Sequence, residues 1–303
     1  MKRKGLHTVI LSVCVALLFF GCSSVPRGQP ETRTRRRGAA SRLEAANREA
    51  DRGNYANALS LAGEARSFAV AADDPALIIR SGLSRGAILV SLGYSAEAQA
   101  VFDEALAEAE RIRSAELAAA VRVHIARKRL LDGSGDAAGI RDQARKEISL
   151  IKTEQTDLAL GWIVVGLAEK ELGNWAAAEQ GVKNALDLHL KGGYLEPAAY
   201  DWYLIASIRS MSGLYQSALD ALEEALSYDR RAENSYGLGM DWRAMGDVYK
   251  KEGKDAAADI AYRRAADIFR SSNMTKEAAE AESRAGHPGP TKQGNELHNG
   301  SAD

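Results

Sequence analysis

The sequence predicts an all-α solenoid of six stacked helix pairs with a forty-residue period and a C-terminal capping helix, and three observations lead there. Glycine stands at Gly53, Gly93, Gly133, Gly173, Gly213 and Gly253, each forty residues after the last. Alanine repeats at the same interval at Ala58, Ala98, Ala138, Ala178, Ala218 and Ala258. Twelve positions before each is another small residue: Ala46, Gly86, Ala126, Gly166, Ala206 and Gly246. Residues 41–286 hold three threonines (Thr153, Thr156, Thr275) and two prolines amid abundant alanine, which favours helix over sheet. An all-β protein is effectively excluded.

Each element of the repeat has a physical reason. Small residues facing each other on paired helices let the axes approach closely. Glycine between them ends the first helix, where a left-handed residue is needed without a Cβ penalty. A single pair cannot bury its apolar face alone, so neighbours stack. The repeats span about 39–78, 79–118, 119–158, 159–198, 199–238 and 239–278. Seven residues after each alanine comes Ala65, Ala105, Arg145, Ala185, Ala225 and Ala265. Arg145 is the exception, and the second helix of repeat three is expected to pack loosely or face a partner. Ser41-Arg-Leu-Glu44 reads as a capping box that opens the first helix. Pro75 and Pro197 fall at helix starts, and Thr275 is placed to cap a final helix to about Ala285.

The two ends read differently. Met1-Lys-Arg-Lys4 is a positive n-region, and the apolar stretch from Thr8 to Phe20 is too short for a comfortable permanent span. It ends in Phe19-Phe20-Gly21-Cys22-Ser23-Ser24, which resembles a bacterial lipoprotein signal over residues 1–21. Phe19 departs from the usual Leu. The resemblance implies cleavage before Cys22, lipidation of its sulfur, and, from Ser23, an outer-membrane destination facing the periplasm. An ordinary secretory signal or an uncleaved anchor is the competing reading. Residues 22–40, with Arg27, Arg33, Arg35, Arg36 and Arg37, are expected to form a disordered basic tether. Its arginines suit an anionic lipid surface or a solvated linker equally. Residues 287–303 are expected to be a disordered polar tail.

The repeat itself resembles the tetratricopeptide (TPR) family. Trp162-x-x-Val165-Gly166, Trp202-x-x-Ile205-Ala206 and Trp242-x-x-Met245-Gly246-x-x-Tyr249 match the first-helix signature. Phe102, Leu222 and Tyr262 fit the second helix, and the match is nearly complete from Trp242 to Ala265. Forty residues exceed the usual TPR period of about 34. The resemblance implies a right-handed superhelix whose first helices line a concave face. Carried onto this chain, that face takes Leu160, Ile163 and Leu167 from repeat four and Tyr200 and Tyr203 from repeat five. Repeat six adds Met240, Arg243 and Lys250, and repeats two and three add Arg80, Leu83 and Arg127 among others. Such an apolar strip with tyrosines and bordering cations suits a partner-binding groove for an amphipathic helix or an extended peptide. The alternative is that these residues pack against adjacent helices.

Signals for chemistry are weak. Lys+Arg 40 against Asp+Glu 41 gives a net charge of −1, so no global field favours nucleic acid. The five histidines are scattered, Cys14 and Cys22 are the two cysteines, and neither a metal site nor a cofactor is expected. Gly82-Leu-Ser84-Arg-Gly86 has the letters of a nucleophile elbow but falls inside a repeat helix. The expectation is a non-catalytic, lipid-anchored scaffold that binds envelope proteins or peptides. The alternative is an accessory that handles a solute or lipid in the superhelix interior beside a transporter.

Overall fold

The computed structural model describes residues 30–286, with side chains from Thr34 onward. Among them are thirteen α-helices and no strand. The first helices of the pairs are α1 (Pro30–Asp51), α3 (Pro75–Ser91), α5 (Ala115–Leu131), α7 (Gln155–Glu171), α9 (Leu195–Met211) and α11 (Ser235–Lys251). The second helices are α2 (Tyr55–Ala71), α4 (Ser95–Arg111), α6 (Ala137–Ile148), α8 (Trp175–Gly192), α10 (Tyr215–Ala232) and α12 (Asp255–Ser271). A last helix, α13 (Thr275–Arg284), lies against α12 and covers the end of the stack. The expected all-α solenoid of six helix pairs with a capping helix is the observed architecture.

Six glycines close the first helices with φ between +66° and +83°. The residue after each reaches back to the helix, as where Asn54 N–H donates to the Glu49 carbonyl at 2.8 Å. A second left-handed series, also forty residues apart, closes most second helices: Asp73, Arg113, Gly193, Glu233 and Asn273, with φ from +48° to +72°. Only one of these is glycine, so composition alone does not reveal them.

Helix pairing depends on absent side chains. A Cβ built on Gly181 would stand 2.8 Å from the Gly166 backbone nitrogen and 3.2 Å from the Trp162 carbonyl oxygen. One built on Gly166 would meet the Ala178 carbonyl at 2.9 Å. The α7 and α8 backbones therefore touch directly. Ala58, Ala98, Ala178, Ala218 and Ala258 are buried at equivalent contacts.

Two expectations change. The chain is already helical from Pro30, so residues 30–40 of the expected tether belong to α1 and Ser41 is not its cap. The arginines explain this. Arg35 donates to the Ala71 carbonyl at 3.0 Å, Arg36 pairs with Asp74 at 3.0 Å, and the Arg42 guanidinium stacks 4.2 Å above Phe68. Ala39 is buried among them. In repeat three the helix after Gly133 starts four residues later, at Ala137, where the other repeats start two later. Its buried stripe shifts by two, to Ile140, Ala144, Glu147 and Ile151. Arg145 is thus displaced outward and pairs with Glu169 of α7 at 2.9 Å. A helix shorter than its neighbours absorbs the two residues, and the forty-residue register resumes at α7.

Gly181→Ala should lower stability by about 2 kcal/mol, because backbone on the facing helix cannot yield. Gly63→Ala, with open space around its Cβ in α2, should raise it by about 1 kcal/mol. Thermal melts of the two variants check this, and a loss at both positions would contradict the contact argument.

Candidate functional site: the lumen of the solenoid

The stack curls until its beginning meets its sixth repeat. A Cβ on Gly53 would lie 2.7 Å from the Tyr236 ring, and Tyr55 and Tyr236 meet edge to face at 6.4 Å. The lumen, which is partly open to solvent, has a volume of about 520 Å³, within the usual range for ligand sites. Its wall is built chiefly by first helices, whose inner faces point to the axis.

One side of the wall is basic. Arg80 of α3 bridges to α7, reaching Asp157 at 3.2 Å and Glu154 at 3.3 Å. Burial raises the Asp157 carboxyl and Arg80 opposes the rise. His124 of α5 is pushed down to about 3 by burial, with Arg127 and Arg80 adding repulsion, so it stays neutral at physiological pH. Arg127 Nε is buried and finds no acceptor among the described residues.

The opposite side is acidic. Asp51 ends α1, Glu196 lies in the first turn of α9, Asp229 is near the end of α10 and Asp241 is on α11. Asp51 lines the lumen and is exposed. Enclosure lifts its carboxyl to about 7, Glu196 and Asp229 add to the lift, and His189 and Arg127 oppose it. Asp229 also rises to about 7, mainly by burial; Asn234 Nδ2, donating at 2.8 Å, pulls the other way. Asp241, 2% exposed, is raised well above the carboxylate range by burial and by the Asp229 charge. Both carboxyls are therefore held toward the protonated form, Asp241 the more strongly. Beside them, His189 Nδ1 and Asp201 Oδ2 lie 2.6 Å apart, at hydrogen-bond distance.

These four buried groups share one structural logic. His189 and Asp229 are repeat equivalents, at a register position filled elsewhere by Ala69, Ala109 and Phe269. Asp201 and Asp241 are equivalents too, where other repeats carry Ser81, Val121, Gly161 and Ala281. The second helix of one repeat thus meets the first helix of the next through paired polar groups in place of apolar ones. That double break, twelve residues apart, is the signal sequence reading missed.

Of the expected groove residues, Leu160, Ile163, Tyr200, Tyr203 and Met240 line the lumen together. Tyr200 and Tyr203 stack at 6.2 Å, and burial raises the Tyr203 hydroxyl. Leu167 instead packs in the inter-repeat core. Arg243 pairs with Glu280 of α13 at 3.1 Å, and Lys250 pairs with Asp255 at 2.7 Å at an exposed helix end. Cys22 lies outside the described residues. Ser84, from the elbow-like motif, sits within α3 and donates to Asn47 Oδ1 at 2.7 Å. Among the described residues, no group of three or more His, Cys, Asp or Glu side chains is placed to hold a metal ion.

Because Asp229 and Asp241 hold protons in the fold that they release when unfolded, folding takes up protons above about pH 4. Stability therefore falls as pH rises through the folded values and stays low above them. The pair should lower Tm by about 5 °C between roughly pH 5.5 and pH 8. Asp241→Asn should remove most of that fall. A variant with unchanged pH dependence of Tm would contradict the raised titration of the buried pair.

No protein-family model matches the sequence, and comparison with curated proteins finds no match. Among solved structures, a Rap protein complexed with competence and sporulation factor is similar at TM-score 0.56 and 13% identity, with 80% of this chain and 72% of that chain covered. Aspartyl phosphate phosphatase F from Bacillus subtilis gives 0.56 at 12% identity, covering 73% of this chain and 59% of that one. BtubC (BKLC) from P. vanneervenii gives 0.52 at 16% identity, covering 89% and 99%. At these identities the likeness is one of fold, that of an all-α solenoid built from helix pairs.

Proposed function

We propose that the chain is a lipid-anchored periplasmic scaffold that binds a segment of an envelope protein in its lumen, without catalysis. The observation that carries this reading is the concave lumen wall that combines stacked tyrosines, aliphatic side chains and charges of both signs. About 520 Å³ is too small for a folded domain and suits an extended segment or a single side-chain cluster. The Rap neighbour, solved with its competence and sporulation factor, supports occupancy of such a fold by a partner. The anchor rests on the sequence of residues 1–22, and no helix among the described residues is long and apolar enough to cross a membrane.

The same enclosure favours a second reading, in which a small solute or lipid fragment fills the lumen. A photoreactive residue at position 200, inside the lumen, should crosslink a discrete protein in cells, whereas one at the outward-facing Tyr94 should not. Adducts from position 94 alone would overturn the lumen as the partner site. A small molecule retained in native mass spectra, without protein adducts, would establish the second reading. Cys22→Ser should abolish lipid labelling and release the protein from the membrane fraction; continued labelling would contradict the anchor.

A further inference from the structure

The four carboxylates on the acidic side of the lumen lack the cationic partners that other enclosed acids have. Asp157 is held by Arg80, Glu169 by Arg145, and Glu179 by Arg209 at 2.8 Å. Asp51, Glu196, Asp229 and Asp241 have no ion pair within 4 Å among the described residues. They come from four different helices and converge on one cavity. Asp241, 98% removed from water, has an oxygen, Oδ2, that reaches no donor. Asp229 and Asp241 are buried, Glu196 is half-buried and Asp51 is exposed, and keeping the buried pair without a cation is costly unless something else supplies the charge.

The aromatic wall has the matching chemistry. Tyr55 and Tyr236 close the lumen beside these acids, and Tyr200 and Tyr203 continue the wall along α9. Ring faces attract cations through their quadrupole, and the attraction strengthens when the cation is desolvated. Carboxylates and tyrosines around one cavity form a pocket for a positive, partly apolar group.

We infer that the acidic, tyrosine-lined side of the lumen binds an organic cation, a primary ammonium or guanidinium group carried by the guest. This rests on the lumen being the binding site and specifies what enters it. The chemistry has two sources, a lysine or arginine side chain of a partner segment or a free small amine. An incoming cation stabilises ionised carboxylates, so binding releases protons from the acids that the empty lumen holds protonated near neutrality. The groups that set this response are Asp51, Glu196, Asp229 and Asp241, with Arg127, His189 and Arg230 opposing their protonation. Binding therefore weakens as pH falls through about 7.

The test is calorimetry on the full chain with four probes: cadaverine, and capped glycine pentapeptides whose central residue is lysine, norleucine or glutamate. The expected result is binding of the lysine peptide at least about tenfold tighter than of the norleucine peptide, with net proton release near neutral pH. Cadaverine binding as tightly as the lysine peptide identifies a free amine as sufficient; the lysine peptide alone identifies a peptide-borne cation. Glu196→Gln and Asp229→Asn, checked for folding by circular dichroism, should each weaken binding about tenfold. Asp229→Asn keeps an acceptor for Asn234, and Glu196→Gln alters a half-buried first-turn residue, so at least one folded variant is expected. Equal binding of lysine and norleucine peptides would overturn the cation site and leave the lumen reading standing. Binding of none of the probes, or unchanged binding by folded variants, would also overturn it. Loss of the lumen reading itself shows separately, as crosslinks from the outer surface alone.

Discussion

The contact on which the rest depends is the close approach of the two helices within each pair, made through small residues. Gly166 and Gly181 meet backbone to backbone, and in repeats two and six the rings of Phe102 and Tyr262 fill the space that Gly86 and Gly246 leave. Repeat three, with its shorter second helix, makes the loosest pair, yet the stack still curls until Gly53 and Tyr55 reach Tyr236.

Curling turns a concave surface into an enclosure, and enclosure changes the energetics of everything on it. A carboxylate on an open concave face would titrate in its ordinary range. In the lumen, Asp51 and Asp229 are lifted to about 7, and His124 is driven to about 3. The polar pairs His189–Asp201 and Asp229–Asp241 occupy positions that other repeats fill with small or apolar residues. They add nothing to the regularity of the stack, and burying them is unfavourable by comparison with an apolar contact. His189, Asp229 and Asp241 line the lumen, a place that suits recognition better than packing.

Much of the architecture was legible because its causes repeat. Glycine at the left-handed turn and small residues at the close contact are demanded every forty residues, so the period marked both helix ends and facing positions. The second turn series was hidden because Asp73, Arg113, Glu233 and Asn273 adopt left-handed φ without being glycine. The shift in repeat three was hidden because Gly133 and Ala138 keep the period while the helix starts two residues late. Arg145 was the visible trace of that slip. At the site, Leu160, Ile163, Tyr200, Tyr203 and Met240 could be placed from repeat position alone. The acids could not, because Asp51 and Asp229 belong to helix ends that meet only when the solenoid curls through all six repeats.

The central claim is that curvature, and it is open to a direct distance measurement. Spin labels at Ala56 and Lys276, in a Cys14→Ser, Cys22→Ser background, flank the contact between Tyr55 and Tyr236 from either side. Double electron–electron resonance should give a short, narrow distance distribution that broadens when Tyr236 is replaced by Ala. A long, broad distribution in the unsubstituted background would mean an open arch without an enclosed lumen and would contradict the account.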